Sequence, residues 1–121
     1  MTEIAQPKKY DLEERTFEFA RDVRAFVRQL PHTVANVEDV KQLVRASGSV
    51  GANYIEANES LGKKDFALHA KISRKEAKES RYFLRLVFPA GDDALDKTRS
   101  ALMQEATELT SIFGAIVRKT E

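Results

Sequence analysis

Apolar residues recur along this chain in steps of three and four. Phe19, Val23, Phe26 and Leu30 are spaced four, three and four apart, with Ala20 and Val27 widening the stripe. Leu43, Ala46, Val50, Asn53 and Ala57 form a second seam, flanked by Ser47 and Tyr54. Phe66, Ala70, Ser73, Ala77, Ser80, Leu84 and Val87 form a third, and Leu95, Leu102, Ala106, Leu109, Phe113 and Ile116 a fourth. Such spacing puts the apolar positions on one face of an α-helix. No Asn-Gly or Asp-Gly turn joins two alternating apolar runs, so hairpins are not signalled.

Three interruptions separate the seams: Leu30-Pro31, Leu61-Gly62 and Pro89-Ala90-Gly91. Each holds a residue that stops or redirects a helix. Asp11 followed by Glu14 has capping-box-like spacing, and Asn36 with Asp39 marks the next start. The third helix follows Gly62 and the fourth starts between Asp93 and Leu95. The pattern predicts helices over residues 12–30, 37–60, 63–88 and 94–119 of a single domain spanning 1–121. Seams averaging about 3.5 residues per step suit helices crossing at a shallow angle. Short connections make consecutive helices antiparallel neighbours. The expected fold is all-α, an antiparallel up-down-up-down four-helix bundle.

Some apolar residues fall outside these seams. Leu68, Ile72, Tyr82 and Leu86 lie roughly opposite the third seam, and Ile112 and Val117 broaden the fourth. A second apolar stripe marks a second packing surface, which predicts a homo-oligomer with these four residues of the third helix at its interface. Scattered surface hydrophobes are the plainer alternative.

Charge changes the picture by its distribution rather than its sum. Charged residues make up 32% of the 121-residue chain, yet the net charge is only +1. Between Lys63 and Phe88, eight basic residues face only Asp65, Glu76 and Glu79, whereas Asp92, Asp93, Asp96, Glu105 and Glu108 make the last segment acidic. Lys71, Arg74, Lys75, Lys78, Arg81 and Arg85 share the polar side of the third helix, with repeated sevenfold spacings. Such a row can contact phosphates, and an oligomer would multiply its field. A solvated face tied by pairs such as Lys75–Glu79 is the competing reading.

The polar residue on the second seam is Asn53. A buried amide needs partners, and Glu56, Ser73, Glu76 and Ser80 are the candidates on this helix or its antiparallel neighbour. Asn53, Glu56 and Glu76 are therefore expected to form a buried polar set that sets register and partner choice.

The chemistry of an enzyme is not signalled. Without cysteine the chain has no thiolate ligand or nucleophile. Its two histidines, His32 and His69, are preceded at the third position by Gln29 and Phe66, so the Glu-x-x-His pairs of di-metal bundles are missing. Ser47-Gly48-Ser49-Val50-Gly51 lacks the ending of a phosphate loop and sits inside a helical pattern, where small residues allow close helix approach. No catalytic residue, cofactor, metal or small-molecule substrate is expected. Met1 to Lys9 is polar and unlike a secretory signal. No apolar run approaches the roughly 20 residues of a membrane span. A cytoplasmic location is the expectation.

Several stretches resemble a family of small bacterial four-helix-bundle proteins. They are Tyr10-Asp11-Leu12-Glu13-Glu14-Arg15-Thr16, Gln42-Leu43-Val44-Arg45-Ala46-Ser47, Val50-Gly51-Ala52-Asn53-Tyr54-Ile55-Glu56-Ala57, Lys64-Asp65-Phe66 and Arg74-Lys75-Glu76-Ala77-Lys78-Glu79-Ser80-Arg81-Tyr82-Phe83-Leu84. The family includes proteins encoded by intervening sequences in large-subunit ribosomal RNA genes and the accessory variability protein of diversity-generating retroelements. The resemblance runs from Tyr10 to about Val117. It implies a homopentameric ring without catalytic residues. For the retroelement branch it implies a basic surface that binds nucleic acid and a reverse transcriptase. This chain departs from the family in Phe83, where tryptophan is common, and in its near-neutral charge.

Overall fold

The computed structural model describes residues 8–121, with side chains from Leu12 onward. Four helices follow in order: α1 Lys8–Val27, α2 Val34–Asn58, α3 Lys63–Leu86 and α4 Asp93–Lys119. No strand occurs among the described residues.

The breaks fall where expected, but the caps differ. Helix α1 runs through Asp11 rather than starting after it, because nothing between Lys8 and Asp11 breaks a helix. The capping role of the Asp11 side chain lies outside the described residues. At the other end, Gln29 and Leu30 donate to Phe26 O and Val27 O, a tight last turn ahead of Pro31. Helix α2 is capped by Thr33, whose hydroxyl accepts the Asn36 N–H at 3.1 Å. Asn36 is thus inside the first turn and not the cap. Helix α3 ends at Leu86, two residues short of the expected boundary, since Phe88 precedes a proline and the backbone must leave the helical region there. Ala90 and Gly91 then take left-handed φ values of 58° and 76°, and Asp92 caps α4 by accepting from Leu95 N at 3.0 Å.

Named contacts establish the topology. Progress along α1 from Glu13 through Thr16 to Arg24 meets Asn58, Gly51 and Gly48 in descending order on α2. Asn53, Val50 and Arg45 of α2 meet His69, Ser73 and Glu76 of α3, and Arg74 and Arg85 of α3 meet Gly114 and Arg99 of α4. Each pair is antiparallel. Helix α4 returns beside α1, where Arg15 donates to Glu105 at 2.7 and 2.9 Å and to Glu108 at 2.7 Å. The Gln104 amide and Arg15 hold the Glu108 carboxyl below the usual carboxylate range. Neighbouring helices pack and the diagonal pairs α1–α3 and α2–α4 have no close backbone approach, which defines a square four-helix bundle.

The core is built from Phe19, Val23 and Phe26 of α1, Leu43, Val50 and Tyr54 of α2, Ala77 and Leu84 of α3, and Leu102, Leu109 and Phe113 of α4. The Tyr54 and Phe113 rings meet edge to face across the diagonal, with centroids 5.5 Å apart. Two seam positions move from where the pattern put them. Tyr54, not Asn53, faces the centre of α2, and Val117 is buried in α4 while Ile116 is only half-buried. Steps of three-then-four and four-then-three both satisfy a heptad, and in α2 the tyrosine ring is drawn inward because it removes more apolar surface from water than the amide. Of the small residues of α2, Gly51 permits the close helix approach that the pattern predicts, while Gly48 makes room for the Arg24 side chain. A Cβ on Gly51 would stand 2.8 Å from Thr16 Oγ1, and one on Gly48 3.2 Å from Arg24 Nη2.

Candidate nucleic-acid interface

Helix α3 turns its core residues Ala70, Ser73, Ala77, Ser80 and Leu84 inward, which leaves Lys64, Leu68, Lys71, Lys75, Lys78, Tyr82 and Arg85 along its outer line. These seven alternate in steps of four and three, so they stand nearly above one another. From Lys71 to Arg85 the line is about 21 Å long at the helical rise of ~1.5 Å per residue.

The basic residues of this face differ in how they are held. Lys75 is tied back, 3.5 Å from Glu79 and 3.9 Å from Glu76, while Arg45 reaches across from α2 to the same two carboxylates at 3.0 and 3.5 Å. Lys71, Lys78, Arg81 and Arg85 are exposed and Arg74 is half-buried. None of these five has a carboxylate within 4 Å among the described residues. Elsewhere on the bundle Arg15, Arg45 and Arg99 each have a carboxylate partner.

Helix α4 extends this surface instead of neutralising it. Its carboxylates Glu105 and Glu108 turn to Arg15 of α1, and Asp96 is 2.7 Å from Arg99. On the edge facing α3, buried Gly114 leaves room for two cationic arms. The position of an added Cβ there would be 3.5 Å from Arg118 Nη1 and 3.8 Å from Arg74 Cδ. Arg118 lies on α4 and so outside the basic row of α3. Its signal was a glycine four residues before an arginine inside a helix, which says nothing until the neighbouring helix is placed.

The expected buried polar set divides. Glu76 is buried, with the carboxyl against Arg45 and Lys75. Asn53 is only half-buried, and Glu56 is exposed. The partners of Asn53 are Ser49 O, which accepts from Nδ2 at 2.9 Å, and His69 Nδ1, 3.2 Å from Oδ1. The candidates drawn from spacing find other partners: Ser73 donates to Val50 O and Ser80 to Glu76 O. With Tyr54 turned to the core, Asn53 rotates to the α2–α3 edge and Glu56 further out into solvent.

The buried amide that sequence reasoning missed is Asn36, only 2% exposed. Its Nδ2 donates to Pro31 O at 2.9 Å and Phe88 O at 3.0 Å, and its Oδ1 accepts the Phe88 N–H at 2.8 Å. One side chain therefore ties the α1–α2 connection to the α3–α4 connection.

Of the expected interface residues, Leu68, Tyr82 and Leu86 are about half exposed, at 52, 55 and 47%, and Ile72 is half-buried. Tyr82 stands with the cations of the outer line. Leu68 also belongs to that line, and Ile72 and Leu86 lie on its flank toward α2. An apolar cleft of about 250 Å³ opens at the end of the bundle between Val27, Leu30, His32, Val37 and Val40. His32 is exposed there. No group of three or more potential metal-ligating side chains clusters among the described residues. No described helix is long and apolar enough to cross a membrane.

A crystal structure of a protein of unknown function from the S23 ribosomal protein family of Bacteroides thetaiotaomicron has the same fold. The TM-score is 0.77 at 23% identity, over 93% of this chain and 99% of that one. No curated protein matches the chain at a significant level. The model of the 23S rRNA-intervening sequence proteins matches residues 8–114, and with this fold and coverage the chain belongs to that family.

Proposed function

We propose that the protein is a non-enzymatic, self-associating helical bundle that binds nucleic acid through the outer face of α3 and the adjoining edge of α4. The carrying observation is that Lys71, Arg74, Lys78, Arg81 and Arg85 stand together on one side of α3 and have no carboxylate partner among the described residues. Evenly spaced, unneutralised cations gain most from a partner with evenly spaced phosphates, because each contact releases condensed counterions. A nucleic-acid enzyme such as a reverse transcriptase is reached in this reading by sharing the bound strand.

The test is the salt dependence of binding to an RNA oligonucleotide between about 50 and 200 mM salt. Changing Lys71, Lys78 and Arg85 together to glutamine is expected to weaken binding at least tenfold at low salt and make the log–log slope shallower by about 2. All three side chains are exposed, so the fold should persist. Unchanged binding would sink the proposal.

The half-exposed Leu68 and Leu86 favour a second reading, a protein-interaction oligomer without a nucleic-acid role. Light scattering is expected to give a molar mass of several chains, and the Leu68→Glu, Leu86→Glu double change should lower it. A monomer before any change would refute self-association.

A further inference from the structure

We propose that the strand bound along α3 is single-stranded, with an unpaired base stacking on Tyr82. This deepens the reading of α3 as a phosphate-binding face and rests on it. Tyr82 is the aromatic residue of the outer line, with Lys78 four residues before it and Arg85 three residues after it on the same face. Neither cation has a carboxylate partner among the described residues. Tyr82 is 55% exposed, a large apolar ring left in water between two unneutralised charges. It is also braced: its ring meets that of Phe83 edge to face, with centroids 5.3 Å apart and planes at 80°. Phe83 itself packs on the core.

An exposed ring flanked by cations at helical spacing suits a chain of phosphates that also offers bare base faces. Stacking on an aromatic side chain is open to any base and needs no hydrogen-bond readout. A duplex hides its base faces between neighbouring pairs, so it can use the cations but not the tyrosine. Lys75 stands one turn further along but is occupied by Glu79 and Glu76. Strand contact therefore concentrates at the Lys78–Tyr82–Arg85 end of the line and continues onto Arg81.

The experiment compares Tyr82→Ala and Tyr82→Phe with the unchanged full chain, using oligo(dT), a duplex of equal length and linear polyphosphate as probes. Tyr82→Ala is expected to weaken oligo(dT) binding about tenfold while leaving duplex and polyphosphate binding within about twofold, in line with stacking on one aromatic. Tyr82→Phe should keep the oligo(dT) affinity. The chain has no tryptophan and three tyrosines, so tyrosine emission reports directly. Oligo(dT) should quench the unchanged protein and quench Tyr82→Phe less at equal saturation. Unaltered oligo(dT) binding by Tyr82→Ala would overturn the inference. So would an equal loss for polyphosphate, or a fall in molar mass, since either assigns the tyrosine to the fold or the assembly. Failure of the underlying reading looks different: the unchanged protein would then bind neither polyphosphate nor oligo(dT).

Discussion

Replacing Phe113 with alanine is expected to lower the free energy of unfolding by about 3–5 kcal/mol, the range for deleting a buried ring. Phe113 is fully buried, and it meets Tyr54 across the α2–α4 diagonal, which backbone contact does not bridge. The two rings therefore fill the space between α2 and α4 at this level of the bundle. Phe113 belongs to one buried cluster with Val50 and Tyr54 of α2, Ala77 of α3 and Leu109 of α4. Chemical denaturation with helical circular dichroism would measure the loss. A change below about 1 kcal/mol would mean that the bundle repacks there freely. Phe113→Leu should lose much less, because most of the volume is retained.

Asn36→Ala should lower stability by about 1–3 kcal/mol, although the side chain is small and polar. The change leaves Pro31 O, Phe88 O and the Phe88 N–H without the partner that serves all three. A buried polar group left unmatched costs about 1–3 kcal/mol. Thr33 still caps α2, since the bond at the cap uses the Asn36 backbone N–H. Asn36→Asp should be worse near neutral pH, because a carboxylate would face two carbonyl oxygens. Burial and those carbonyls would raise the carboxyl pKa in the folded state above its unfolded value. The folded state would then bind the proton more tightly, so the deficit relative to the unchanged protein should shrink as pH falls through the folded pKa. A deficit that is independent of pH would show that the carboxylate escapes to water.

These two residues stand at opposite ends of legibility. Phe113 was plain from its place in the run Leu102, Ala106, Leu109, Phe113, because burial of an apolar side chain is a one-body property that helical spacing exposes. Asn36 read as a helix start, since asparagine is favoured there, and its partners lie five and 52 residues away. The same limit governed the second seam. A heptad accepts either Asn53 or Tyr54, and the edge-to-face partner of the buried tyrosine, Phe113, is supplied by α4.

The interface shows the division most clearly. The sequence by itself determined the four helices, because proline, glycine and capping residues act locally. It also determined most of their inward faces, because apolar periodicity is a property of each helix alone, although not the choice of Tyr54 over Asn53 or of Val117 over Ile116. And it determined the cation line of α3, because side chains three and four residues apart share a helix face. Tertiary structure decided which of those cations are neutralised. Glu76 and Glu79 are drawn upon by Arg45 from α2, Lys75 is held by the same carboxylates, and Glu105 and Glu108 are turned away to Arg15. It also decided that Arg118 joins Arg74 over Gly114. Ion pairing falls off within a few ångströms, so it depends on how helices lie against one another, which no single helix encodes.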